Sequence, residues 1–209
     1  MTEGLAARGL LYRCRAAYSG RVIARFHSRF ALLAAAVLAG GTPVHAGAQS
    51  AVMVETRAEA DGTSTLVHEV LVDAPAMDVW TAVATPEGWM TWAVPAARWV
   101  DGAPDVLETS YDPAEKPGGP GTIQQRFLAQ IPGRLLAFRT IKAPAGFPNW
   151  ESYRLVTSVF ELEPAGQRTR VRLTSTGYPD SEAGRELVAF FRQGNAETLE
   201  QLSARFAPE

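Results

Sequence analysis

Residues 181–206 read SEAGRELVAFFRQGNAETLEQLSARF, a segment without proline in which apolar residues recur at spacings of three and four. This period places one apolar stripe along a helix and leaves the charged residues on the rest of its surface. Ser181 or Asp180 can cap the helix, and Glu182 lies near the positive end of its dipole. The segment therefore predicts one long amphipathic helix that needs an apolar partner surface.

The partner surface is predicted upstream, where alternating apolar segments are separated by turn residues. Residues 65–73 alternate as a strand that Ala74-Pro75 ends, and residues 76–84 and 86–95 then favour two short helices. Further strand-like runs follow at 97–100, 106–111, 122–130, 134–142, 153–163 and 168–175. This order predicts an α+β domain over 65–206, in which a curved antiparallel sheet of about six to seven strands wraps the long C-terminal helix.

The first 48 residues differ in charge from the rest of the chain. They hold six arginines and one acid, Glu3, out of 20 basic and 22 acidic residues in all. The remaining body therefore has 14 bases and 21 acids. We expect no nucleic-acid partner for so acidic a body, because phosphate recognition needs clustered Lys and Arg.

An apolar run at 31–39 follows the arginines, and small residues ending in Ala46-Gly47-Ala48 come after it. This order predicts an export signal over 1–48, cleaved after Ala48 or alternatively after Ala46, and hence a periplasmic or secreted protein. The apolar run is well below the ~20 residues of a spanning helix, so we expect no stable membrane span after cleavage. The alternative interpretation is a disordered or amphipathic tail on a cytosolic protein.

The domain boundaries leave two short segments outside the folded part. Residues 49–64 are small and polar and are interpreted as a flexible linker, and residues 207–209 as a tail. The only cysteine, Cys14, lies inside the predicted signal. The mature chain would then have no thiol, which excludes disulfides, thiolate catalysis and cysteine metal sites from its folded part.

His68 is the one histidine that remains if His27 and His45 leave with the signal. Its strand parity places it on the same face as Val70 and Val72. The sequence supplies no partner for a catalytic or metal role, and the acids, Glu108 among them, are interpreted as solvated or rim positions. We therefore expect no metal and no cofactor, and keep His68 as a weak catalytic candidate and a candidate ligand contact.

Aromatic side chains are the most informative remaining feature, because they occur in nearly every predicted element. A cavity lined by rings would bind an apolar or aromatic molecule by burial, although ordinary core packing explains any single ring equally well. Core packing is favoured for Trp80. The segment 147–150 is a candidate mouth or lid, and Gly194 either leaves room for a ligand or permits close contact with a strand. The candidate ligand-binding residues are His68, Trp89, Trp92, Tyr111, Phe127, Phe138, Trp150, Tyr153, Phe160, Leu173, Phe190, Phe191 and Gly194.

Several segments, taken in order, resemble the START-like helix-grip superfamily called SRPBCC, and within it the homologues of the heat-shock-protein-90 ATPase activator. Val70 to Trp80 is similar to that group's first strand and helix, and Thr85 to Trp92 to its following aromatic turn. Residues 169–178 and 190–202 resemble its last strand and final helix. The resemblance covers about 65–206 and implies a helix-grip fold with a ligand cavity between the sheet and the long helix.

The resemblance also has a limit, because members of that group are mostly cytosolic and leaderless. We therefore do not expect this protein to activate a chaperone, since the ATPase partner of an exported chain would be in another compartment. We expect instead binding of a hydrophobic, aromatic or lipid-like small molecule, and favour binding over catalysis. The alternatives are a cyclase-, aromatase- or hydrolase-like enzyme, with His68 beside Glu108, Tyr111 or Tyr153, and a protein-interaction module with a filled core.

Overall fold

A computed structural model describes residues 51–208. Within them, the strands are β1 Met53–Ala58, β2 Thr63–Val72, β3 Ala96–Val100, β4 Ala103–Ser110, β5 Ile123–Ile131, β6 Leu135–Lys142, β7 Thr157–Ala165 and β8 Arg168–Pro179. The helices of the same range are α1 Ala76–Ala84, α2 Pro86–Met90, α3 Trp150–Tyr153 and α4 Glu182–Arg205. The predicted α+β class, the two short helices after the first predicted strand and the long C-terminal helix are confirmed.

The strands form one antiparallel sheet in the order β1-β2-β8-β7-β6-β5-β4-β3. The β2 and β8 strands, distant in sequence, are neighbours in the sheet. Register shifts interrupt the pairings of β2 with β8, β3 with β4 and β5 with β6. Such bulges bend strands, which allows the sheet to curve around a helix. Helix α4 packs on β1, β2 and β8, and α1 packs on β7 and β8.

The alternation in β8 separates an inner face from an outer face. Val171 and Leu173 are buried toward the helices, as their parity predicts. On the outer face, Arg170 and Arg172 are exposed and form ion pairs with Glu163 and Glu69. The arginine face of this strand is therefore outside, as expected, and the sheet presents its apolar face to α4.

Two segments of the chain form other elements than the sequence predicts. Residues 53–58, expected as linker, form strand β1, because they pair in register with β2 along the edge of the sheet. This edge strand makes the sheet eight-stranded rather than six- or seven-stranded. The run expected as a strand from 153 instead begins at Thr157, because Asn149, in the left-handed region at φ 57°, starts the short helix α3.

The start of α4 is fixed by a cap and a close contact. The Ser181 side-chain oxygen accepts a hydrogen bond from the Gly184 amide at 3.1 Å, which confirms one of the two predicted caps. A Cβ on Gly184 would collide with the Pro179 carbonyl group. Glycine at this position therefore allows the first turn of α4 to pack against the end of β8.

Candidate ligand site

A row of inner-facing side chains crosses the sheet at the level of His68. Its members are apolar apart from His68 and are buried or half-buried. Across five strands they are Val54, His68, Leu173, Phe160 and Leu136. The row brings three candidate ligand-binding residues together, namely His68, Leu173 and Phe160.

A second row runs beside the first and adds hydroxyl groups to the inner face. Its members are Leu66, Ser175, Ser158, Phe138 and Phe127. The rings of Phe138 and Phe160 stack between the two rows, with centroids 5.8 Å apart. Neither row contains a carboxylate, an ammonium or a guanidinium group, so the inner face they form is uncharged while His68 is neutral.

The polar groups near these rows hydrogen-bond to one another. The hydroxyl oxygens of Ser158 and Ser175 are 2.9 Å apart. Thr140 donates to the Tyr153 hydroxyl at 3.3 Å. Burial raises the pKa of Tyr153 and of Tyr178, and for Tyr178 the neighbouring Tyr153 raises the pKa further. These phenols are therefore neutral hydroxyls.

His68, on strand β2, forms a hydrogen bond to the backbone of helix α4. Its Nε2 lies 3.0 Å from the backbone oxygen of Arg192, and its side chain is fully buried. Burial lowers the pKa of His68, and the Arg192 charge adds to this while the hydrogen bond opposes it. Since a carbonyl oxygen only accepts, the neutral ring carries its proton on Nε2 and presents a lone pair at Nδ1.

Six rings form what we call the loop-end aromatic cluster, where the β6–β7 connection meets α4. The closest pair is Tyr153 and Phe191, whose rings stack with centroids 4.5 Å apart. Four members were candidates from the sequence, and the predicted mouth segment 147–150 contributes two rings. The cluster consists of Phe147, Trp150, Tyr153, Tyr178, Phe190 and Phe191.

Phe147 and Tyr178 were not among the candidate ligand-binding residues. For Tyr178 a signal existed, because Gly177 inside an alternating strand indicates a bulge. Gly177 has φ 93°, and the register shifts there so that Thr176 pairs with Thr65 and Tyr178 with Ser64. The bulge turns the Tyr178 ring into the core, where it is 1% exposed.

A pocket of ≈ 320 Å³ adjoins the loop-end aromatic cluster. It is lined by Ile141, Lys142, Ala143, Pro144, Ala145, Gly146, Phe147 and Trp150. The Lys142 ammonium donates to the backbone oxygens of Gly118 and Gly119, both at 2.7 Å. It also donates to the Thr122 hydroxyl at 2.6 Å. The ammonium group is therefore bonded to the adjacent loop, and the rest of the pocket wall is mainly apolar.

Three aromatic candidates lie outside both the inner rows and the loop-end aromatic cluster. The indole N–H groups of Trp89 and Trp92 donate to the backbone oxygens of Val83 and Ala82 at 2.7 and 3.0 Å. These two bonds hold α2 and the residues directly after it against the end of α1, and both rings pack on the main core. Tyr111 follows the end of β4 and is 44% exposed.

The rim interpretation of Glu108 is wrong. This residue is 2% exposed and lies between the inner-facing Leu107 and Thr109, so its carboxylate is on the opposite face of β4 from the α4 side. It accepts hydrogen bonds from the Gly118 amide at 3.0 Å and the Gln124 amide at 2.6 Å, and pairs with Arg98. The loop after β4 folds over the carboxylate and buries it, so Glu108 is not a partner for His68.

Gly194 lies on α4, two residues beyond the carbonyl group that His68 contacts. A Cβ built on it would meet no heavy atom of another element within 4 Å among residues 51–208. The structure therefore excludes the interpretation that Gly194 permits close contact with a strand.

Residues 51–208 contain neither a membrane-spanning helix nor a metal-binding group of side chains. None of their helices combines the length and apolar character needed to cross a membrane. No group of three or more His, Cys, Asp or Glu side chains in this part of the chain is arranged to hold a metal ion.

The long helix held against the uncharged inner face of a curved sheet defines a helix-grip domain of the START-like SRPBCC class. The chain belongs to the family described as polyketide cyclase/dehydrase and lipid transport, which it matches over residues 63–207. No curated protein matches the sequence.

Solved structures with the same fold are similar over most of their length. MLL2253 from Mesorhizobium loti has 20% identity and a TM-score of 0.52, covering 68% of this chain and 95% of that one. The Aha1 dimer from Colwellia psychrerythraea has 17% identity and a TM-score of 0.53, covering 68% and 96%. CalU16 from Micromonospora echinospora has 18% identity and a TM-score of 0.50, covering 76% and 87%. With the family match, these structures confirm the resemblance to SRPBCC proteins.

Proposed function

We propose that this domain binds a hydrophobic or lipid-like small molecule between the inner face of the sheet and helix α4. The observation that carries this proposal is the uncharged surface formed by the two inner rows, in which the polar groups are hydroxyls and one imidazole. An apolar ligand gains from burial on such a surface, while a few polar groups orient it. The family description, which includes lipid transport, supports the same class of ligand.

The loop-end aromatic cluster is the proposed entrance to this site. Phe147 and Trp150 belong both to the cluster and to the adjacent apolar pocket. Their rings lie on the connection between β6 and β7, and Phe147 also contacts Phe190 and Phe191 on α4. We propose that a ligand first contacts these rings and passes from them to the inner face.

Binding of the neutral fluorescent probe N-phenyl-1-naphthylamine tests the proposal. We expect saturable binding at one site per chain and a rise in the unfolding temperature with probe concentration, because the probe binds the native state. Amide NMR shifts would locate the probe. Changes at Phe160 and Leu173, with outer-face Arg170 and Arg172 unaffected, would support the inner site. Saturation without thermal stabilisation, or shifts on the outer face alone, would contradict it.

We further propose that residues 1–48 export the domain to the periplasm or the medium. The support is the order of arginine-rich segment, apolar run and small residues ending at Ala48. Expression of the full chain in a Gram-negative host, followed by fractionation and intact-mass measurement, tests this. We expect a product beginning at Gln49, or at Gly47 if cleavage follows Ala46. An uncleaved chain in the cytoplasm would contradict it.

A further inference from the structure

The Nδ1 atom of His68 is a buried hydrogen-bond acceptor without a partner among residues 51–208. Its role as acceptor follows from geometry, because Nε2 must carry the ring proton to bond the Arg192 carbonyl group at 3.0 Å. An unmet acceptor in a protein interior costs about 1–3 kcal/mol, so native structures rarely retain one without a reason.

The other polar groups of the inner face do not share this property. The hydroxyls of Ser158 and Ser175 bond to each other, and Thr140 bonds to Tyr153. In the described part of the chain, the only other buried side-chain polar atom without a hydrogen bond is Nη2 of Arg98. That atom contacts the Glu108 carboxylate in an ion pair on the opposite side of the sheet. His68 Nδ1 is thus the available polar group on the inner face.

We propose that His68 Nδ1 accepts a hydrogen bond from a hydroxyl group of the bound ligand, so that the ligands are neutral, otherwise apolar alcohols and phenols. This inference rests on the function proposed above and narrows its ligand class. A hydroxyl group supplies the donor that Nδ1 lacks. A carboxylate offers only lone pairs, which the Nδ1 lone pair would repel, and neither inner row holds a cation to balance its charge.

The position of Nδ1 also determines how the hydroxyl reaches it. His68 is fully buried, between its cross-strand neighbours Val54 and Leu173 and beneath α4. Access therefore requires these neighbouring side chains to shift when the ligand enters. We expect the methyl NMR signals of Val54 and Leu173 to move with a hydroxylated probe more than with its methyl ether.

Three naphthalene probes of similar size test the inference at neutral pH: 2-naphthol, 2-methoxynaphthalene and 2-naphthoate. The first donates a hydrogen bond, the second only accepts, and the third is an anion. For the wild-type protein we expect 2-naphthol to bind about fivefold more tightly than the ether, the factor that one net hydrogen bond gives. We expect 2-naphthoate to bind most weakly.

Variants of His68 test whether the preference for 2-naphthol over its methyl ether depends on Nδ1. His68→Leu and His68→Phe both remove the ring nitrogens and with them the acceptor at Nδ1, the first with an aliphatic and the second with an aromatic side chain. We expect both to bind naphthol and ether about equally. Arg172→Gln is the control, because it changes only an outer-face side chain, which pairs with Glu69, and leaves the inner face intact, so the preference should remain. The imidazole ¹⁵N spectrum of the wild-type protein gives a readout without mutation: the Nδ1 signal should shift to lower frequency with 2-naphthol and not with the ether.

The outcomes separate this inference from the proposed function. Equal binding of naphthol and ether by the wild-type protein, or a preference that survives in His68→Leu, would overturn the role of His68 and leave hydrophobic binding standing. Binding of 2-naphthoate as tight as that of 2-naphthol would do the same. If N-phenyl-1-naphthylamine and all three naphthalenes fail to bind, the proposed function itself is wrong.

Discussion

Tyr153 stacks on Phe191 with ring centroids 4.5 Å apart and an interplanar angle of 18°. One ring belongs to the connection between β6 and β7 and the other to helix α4, so the contact joins the proposed entrance to the helix. Phe191 also contacts Phe147, Tyr178 and Phe190. It is therefore the central ring of the loop-end aromatic cluster.

Replacing this central ring should loosen the entrance. We expect Phe191→Ala to lower the free energy of unfolding by about 2 kcal/mol, less than for a fully buried ring because Phe191 is only half-buried. Phe190→Ala is the matched control, because Phe190 contacts only Phe147 and Phe191 among the rings of residues 51–208. Its cost should be about 1 kcal/mol. Urea denaturation measures both, and an equal or reversed order would contradict the central role.

Two glycines of α4 should respond oppositely to alanine. A Cβ on Gly194 would meet no heavy atom of another element within 4 Å in the described part of the chain. Gly194→Ala should therefore gain helix propensity and raise the free energy of unfolding by about 0.5–1 kcal/mol. Gly184→Ala should be destabilising, because its Cβ would collide with the Pro179 carbonyl group. Thermal and urea unfolding measure the pair, and a loss of stability in Gly194→Ala would show that the helix is packed more tightly there.

The buried carboxylate of Glu108 should hold the loop after β4 on the sheet. We expect Glu108→Ala to cost about 2–3 kcal/mol, because the Gly118 amide, Gln124 and Arg98 all lose their shared partner. Hydrogen exchange at the Gly118 amide should accelerate. Glu115→Ala is the control, since the half-buried Glu115 accepts one bond, from Gly121, and should cost about 1 kcal/mol. Unchanged exchange at Gly118 in Glu108→Ala would contradict this role.

The sequence predicted features that depend on local periodicity. The 3.6-residue period of 181–206 and the alternation of 168–175 are enough to predict helix α4 and the inner face of β8. Ser181 as a cap and Trp80 as a core residue follow from the same local signals, and both are confirmed.

The remainder depends on contacts that no local pattern contains. Strand β1 was missed because its side chains are mostly exposed, and only its pairing with β2 identifies it as a strand. The burial of Glu108 arises from a loop that folds back ten residues later along the chain. The unpartnered Nδ1 of His68 depends on the position of the Arg192 carbonyl group, 124 residues away.

His68 should also give stability a pH dependence of known sign. Burial lowers its pKa in the folded state below the ordinary value of 6.5. From pH 6.5 down to the folded-state pKa, the unfolded chain binds a proton that the native protein does not, so the free energy of unfolding falls as the pH falls. Well above pH 6.5, His68 is neutral in both states and contributes no slope.

His68→Gln isolates this contribution, because it removes the titrating ring while keeping a donor for the Arg192 carbonyl group. Urea denaturation of both proteins from pH 8 to pH 5 should give curves that are parallel above pH 7 and diverge below pH 6.5, with the wild-type protein losing more stability. The same His27 and His45 are present in both full-length chains, so their effects cancel in the difference. Curves that stay parallel down to pH 5 would mean that the buried ring takes up a proton as easily as a solvated one, which its enclosure beneath α4 should prevent.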